Sequence, residues 1–190
     1  MRFFIALEIP SQNIPEFQSI QDSLGKLIPQ ARMTNLGKIH LTIAFIGEQD
    51  DSLKDNLIQV IKNAVEKVQS FGVTPAYIDG FPNIHHPNVL WIGVKGDIDK
   101  ILLIRERIKD GLENLRLPVD ERRFVPHITI AKISGDFRVS KQLENLLQNM
   151  MGEQTFESIK ITSIKLFESV PNEGFHKHNT LAEINLDLDP

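Results

Sequence analysis

The residues best suited to chemistry sit in two short stretches that read almost alike, Ile39-His40-Leu41-Thr42-Ile43-Ala44 and Pro126-His127-Ile128-Thr129-Ile130-Ala131. Each sets a His-x-Thr group among β-branched and apolar residues, the composition of a half-buried strand. Side chains alternate faces along a strand, so each His shares a face with the Thr two residues on, while Leu41, Ile43, Ile128 and Ile130 turn toward a core. An imidazole can accept or donate a proton near neutral pH. Two of them can therefore divide one reaction, one activating a water and the other protonating a departing oxygen. Each Thr hydroxyl can steady a non-bridging phosphoryl oxygen. This chemistry needs no metal, no cofactor and no covalent intermediate, and a phosphodiester with an alkoxide leaving group suits it.

The elements that must position these groups follow from periodicity and punctuation. Residues 2–9 read as a strand that Pro10 ends, and 15–28 as a helix with Pro15 in its first turn. A loop over 29–38 carrying Arg32 and Lys38 leads into the first His-x-Thr strand. Asp51 or Ser52 is placed to cap a helix over about 52–69, and a strand over 72–80 follows. The order then restarts with a strand at 89–94, a helix over about 98–115 behind Asp97, and an arginine-bearing loop into the second motif. A helix (about 139–151), a strand (about 156–168) and a last strand over 179–188 complete the chain. From Phe3 to His40 is 37 positions and from Val89 to His127 is 38. Five of the eight residues starting at each His are identical. Matching order and offsets imply an internally duplicated α+β domain spanning 1–190, with repeats over about 1–80 and 88–170. The expected architecture is bilobal, with two mainly antiparallel sheets, helices outside, an approximate two-fold and a central cleft.

Composition narrows the function. The 190 residues carry a formal net charge of −4, which argues against broad binding to duplex nucleic acid but leaves room for a local basic cleft. The absence of cysteine removes disulfides, thiol catalysis and thiolate metal sites, and fits a reducing cytoplasm. The opening Met1-Arg2-Phe3-Phe4-Ile5-Ala6-Leu7-Glu8 is broken by Glu8 and reads as a strand rather than a signal peptide. No apolar run approaches the roughly 18 residues of a membrane span. A cytoplasmic monomer that does not enter membranes is expected.

Other candidates are weighed on their chemistry. Arg122 and Arg123, just before the second motif, suit bidentate contact with a phosphate as well as an ordinary solvated surface. Phe124 suits the core or a wall for a base, and Arg32 and Lys38 suit the cleft edge or the surface. His85-His86 and His176-Lys177-His178 fall in expected loops without carboxylates at ligand spacing, so no metal site is assigned. His176 or Lys177 can instead edge the groove.

Two His-x-Thr motifs about eighty to ninety residues apart, the Met1-Arg2-x-Phe4-Ile5-Ala6-Leu7 opening, Phe45 and Gly47 after the first motif, Val89-Leu90-Trp91 and Arg122-x-Phe124-x-Pro126-His127-x-Thr129 together resemble the 2H phosphoesterase superfamily. Within it the chain looks most like the bacterial and archaeal RNA 2′,3′-cyclic phosphodiesterases, also called 2′-5′ RNA ligases. The resemblance implies hydrolysis of RNA 2′,3′-cyclic phosphate ends to 2′-phosphomonoesters, with His40 as proton donor and His127 as proton acceptor. The residues alone leave that direction open. Met33-Thr34 stand where the family often has Trp, and Lys132 stands where Arg is common, keeping charge without a bidentate fork. Joining of RNA ends through 2′–5′ linkages, a metal-dependent phosphodiesterase and a non-catalytic module that holds RNA ends or nucleotides are the rival readings.

Overall fold

A computed structural model describes residues 1–188, so the last two positions of the expected 1–190 domain lie outside the described residues. The elements run β1 (Arg2–Glu8), α1 (Ile14–Leu27), β2 (Arg32–Met33), β3 (His40–Glu48), α2 (Lys54–Ala64), β4 (Phe71–Phe81), β5 (Val89–Gly96), α3 (Ile98–Asn114), β6 (His127–Lys132), α4 (Lys141–Gly152), β7 (Ile159–Ile161), β8 (Ser163–Asn172) and β9 (Phe175–Asn185). The α+β class and antiparallel pairing are as expected. The two expected sheets are two halves of one curled path, β7-β4-β5-β6-β3-β1-β8-β9, with β2 added beside β6. A single register pair, Leu41 with Ile128, joins β3 to β6.

Repeat and half-sheet are different divisions of the chain. The last strand of the first repeat, β4, pairs with β5 of the second. Its counterpart β8 pairs with β1 of the first. The stretch expected as one strand over 156–168 breaks at Thr162, which lets the chain leave β4's half for β1's half.

All four helices pack one face. Phe17, Ile20 and Leu24 of α1, Leu57 and Ile61 of α2, Ile104 and Ile108 of α3 and Leu147 of α4 join Leu41, Ile43, Ile128 and Ile130 in one buried core. These are the positions at helical and two-residue spacing in the sequence. On the opposite, groove-forming face, Phe4, Ala6 and Phe167 make a separate small cluster.

Three local expectations change. Asp50, not Asp51 or Ser52, caps the start of the second helical segment, accepting Ser52 N–H at 2.9 Å ahead of a 3-10 turn, and α2 ends at Ala64. Asp97 stands at the start of α3, but its carboxylate accepts Gly72 N–H at 3.1 Å and ties the helix to β4. The last strand begins at Phe175, so His176, Lys177 and His178 lie in β9 rather than a loop.

Each His-x-Thr strand carries a β-bulge at the same place. Thr42 pairs with Ala6 and Ala44 with Ile5, leaving Ile43 unmatched. Thr129 pairs with Trp91 and Ala131 with Leu90, leaving Ile130 unmatched. A bulge reverses the alternation beyond it. Phe45 and Lys132, which strict alternation would send to the core, therefore share the groove face with the imidazoles.

Candidate active site

The pair Leu41–Ile128 sets the geometry of the site. β3 and β6 run antiparallel there, so His40 leads toward Thr129 and Thr42 toward His127, the two imidazoles lying on a diagonal. Leu41 and Ile128 turn to the core with almost no exposure. All four polar side chains are half-buried on the groove face.

Each imidazole is oriented in the same way. His40 Nδ1 donates to the carbonyl of Lys38 at 2.6 Å, and His127 Nδ1 donates to the carbonyl of Val125 at 2.7 Å. In each case the acceptor lies two residues back in the entering loop, and the bond leaves Nε2 with its lone pair facing the groove. The Thr42 hydroxyl donates to His40 Nε2 at 2.9 Å. Among the described residues His127 Nε2 has no matching contact with Thr129.

Aromatic floors lie beneath the two rings. His40 lies 5.3 Å from the Phe4 ring, which stacks on Phe167 at 5.0 Å. His127 meets Phe81 edge-on at 5.0 Å and lies 5.4 Å from Trp91. Burial on these floors pushes His40 below the ordinary imidazole range, opposed by its bond to the Lys38 carbonyl and reinforced by the nearby charge of His127. Burial lowers His127 too, opposed by the Val125 carbonyl.

A third imidazole was not legible in the sequence as part of this site. His178 of β9 stands edge-on to His40 at 5.5 Å, and burial, then the charges of His40, Lys38 and His176, bring it down to about 4. Lys38 Nζ donates to the His176 carbonyl and sits 4.7 Å over the Phe175 ring, pinning the tip of the β8–β9 hairpin beside the first motif. The run Phe175-His176-Lys177-His178 has no apolar alternation, so it gave no strand signal.

The remaining candidates separate. Lys132 pairs with Arg32 across β6 and β2, placing two exposed cations together at one end of the groove face. Arg122 forks onto the Asp120 carboxylate with its side chain 88% exposed. With Phe124 it borders a depression of about 270 Å³ against α3. Phe124 itself lies 5.2 Å from the Arg105 guanidinium. Arg123 is exposed in the loop before β6. His85 faces Glu144 at 3.9 Å and His86 faces Asp136. Among the described residues no group of three or more His, Cys, Asp or Glu is gathered as metal ligands, and no described helix is long and apolar enough to cross a membrane.

A curled α+β sheet that sets two His-x-Thr strands side by side on its open face defines a 2H phosphoesterase. The chain belongs to the 2′-5′ RNA ligase superfamily, which it matches over residues 9–173. A relative from Aquifex aeolicus named RNA 2′,3′-cyclic phosphodiesterase is 32% identical over 163 residues, covering 78% of this chain and 84% of the relative. One of the same name from Aeropyrum pernix is 27% identical over 165 residues, covering 87% and 92%. Among solved structures, a protein of Thermus thermophilus superposes over 100% of both chains with a TM-score of 0.79 at 17% identity. E. coli LigT complexed with 3′-AMP covers 97% of both chains with a TM-score of 0.71 at 21% identity. These structures share the fold.

Proposed function

We propose that this chain hydrolyses RNA 2′,3′-cyclic phosphate ends to 2′-phosphomonoesters without a metal, acting as a monomer because one chain supplies both motifs. The observation that carries the reading is the diagonal of two imidazoles, each held by Nδ1 on a backbone carbonyl and each presenting Nε2 to one groove. In-line displacement at phosphorus puts the entering and leaving oxygens on opposite sides, which a diagonal acid and base can serve. His127, whose Nε2 is open, takes a proton from water as that water attacks phosphorus. His40 gives a proton to the departing 3′-oxygen, leaving a 3′-hydroxyl and a 2′-phosphate. Thr42 and Thr129 donate to the non-bridging oxygens, and Lys132 with Arg32 meets the anionic strand. The names of the relatives from A. aeolicus and A. pernix support this substrate class.

The test is a product assay with 2′,3′-cyclic AMP and an RNA bearing a cyclic phosphate end, run in EDTA. A 2′-monophosphate product is expected. No turnover, a 3′-monophosphate product, or activity that vanishes with chelator each overturns the reading.

The pH dependence follows from the directions of the shifts. The base must be neutral, so rate rises with pH through its pKa, and the acid must be protonated, so rate falls through its own. Both imidazoles lie below about 6.5 in the free protein. The kcat/KM profile is therefore a bell with both limbs on the acid side of 6.5, and the kcat profile sits higher because bound phosphate favours imidazolium. Initial rates across pH 4 to 9 with a cyclic nucleotide check this, and a kcat/KM maximum well above 7 contradicts it.

A further inference from the structure

The two bulges leave carbonyls on the helix side of the sheet, and each is met by a buried polar side chain from the opposite repeat. Gln21 of α1, 7% exposed, donates through Nε2 to the Ile130 carbonyl at 3.1 Å and to the Thr34 carbonyl at 2.8 Å. Arg105 of α3, 8% exposed, donates to the Ile43 carbonyl at 3.0 Å and to the Asp120 carbonyl at 3.2 Å. The two arrangements match under the internal symmetry. In each, one side chain reaches the bulge of one motif and the loop that leads into the other. Those loops go on to present the Lys38 and Val125 carbonyls that orient the two rings.

We infer that Gln21 and Arg105 are paired positioning residues that fix the spacing and orientation of the two imidazoles by stapling each His-x-Thr bulge to the entering loop of its partner motif. This rests on the acid–base reading of His40 and His127. Three features support it. Only one register pair, Leu41–Ile128, joins β3 to β6, so the ladder itself holds the two motifs weakly. The staples add ties across that seam. A bulge also aims the residues beside it, here Thr42 and Ala44, Thr129 and Ala131, so a released bulge carbonyl re-aims the Thr of the same motif. And Arg105, a buried cation, directs its hydrogen bonds to backbone carbonyls and lies over Phe124, where a Lys could not span both acceptors. Ile130 also receives Thr34 N–H at 2.9 Å, so the Gln21 staple is the more redundant of the two.

The test compares Gln21→Met, Arg105→Met and Arg105→Lys, of similar reach, with the parent chain. Kinetics on 2′,3′-cyclic AMP are read beside thermal unfolding and histidine ring NMR titrations. Misplacement of reacting groups lowers kcat with KM little changed, by about 10- to 100-fold. Arg105→Met is expected to lose most, Arg105→Lys to recover part, and both ring titrations to move in each Met variant. Folded variants that keep the parent kcat and both titrations overturn the inference. So does a loss that disappears once rates are corrected for the folded fraction. A parent chain without turnover rejects the hydrolase reading, while ring titrations that still move in the Met variants sustain the positioning role.

Discussion

Alanine at either motif histidine is expected to lower kcat for a 2′,3′-cyclic nucleotide by about 10²- to 10⁴-fold, the contribution of a positioned general acid or base. Both rings are half-buried on the groove face, outside the main core, so the loss comes from chemistry rather than unfolding. Under the proposed assignment the two variants are expected to differ in what remains. His127→Ala removes the base, and with it the limb of the pH profile that rises with pH. His40→Ala removes the acid, and with it the limb that falls. A substrate whose leaving group needs no proton, such as a p-nitrophenyl ester of a nucleotide, therefore restores more of the rate to His40→Ala than to His127→Ala. Steady-state rates for both variants on the cyclic nucleotide and the activated ester check the assignment. Equal rescue of both, or full activity in either on the cyclic nucleotide, removes the division of labour.

The second large effect belongs to the threonines. Valine is close in shape and suits a strand, so Thr42→Val and Thr129→Val remove a hydroxyl without disturbing the sheet. Removing one donor to a developing phosphoryl charge costs about 10²- to 10³-fold in kcat. Thr42 also donates to His40 Nε2 at 2.9 Å, whereas Thr129 has no such contact with His127. Thr42→Val thus removes a donor to substrate and, in the free protein, the partner that holds the neutral His40 ring, and is expected to lose more than Thr129→Val. Single-turnover rates of both variants measure the difference. A rate within a factor of two of the parent in either would assign that Thr to the strand alone.

How much of this was legible in the sequence depends on the range over which each signal acts. The helices follow from apolar spacing, and the shared face of His and Thr from two-residue alternation, both local properties of the chain. The repeated order is legible because His40 and His127 recur at nearly equal distances from Phe3 and Val89. The bulges at Ile43 and Ile130 do not show, because Ile-Ala reads as continuous strand. Their consequence, turning Lys132 and the 69% exposed Phe45 to the groove face, follows only from the register. Gln21 and Arg105 sit within helical stripes and give no local sign of their reach. His178 is invisible for another reason. Its contact with His40 depends on β8 crossing to pair with β1, an association between residues that lie far apart in the chain.

That crossing has a last consequence. Because β4 completes the half-sheet founded on the second repeat and β8 the half founded on the first, each half borrows a piece of its neighbour. Neither half can be assembled from a continuous half of the polypeptide. Loss of order in one lobe therefore withdraws a strand from the other, and the molecule is expected to melt as a single interlocked unit rather than lobe by lobe.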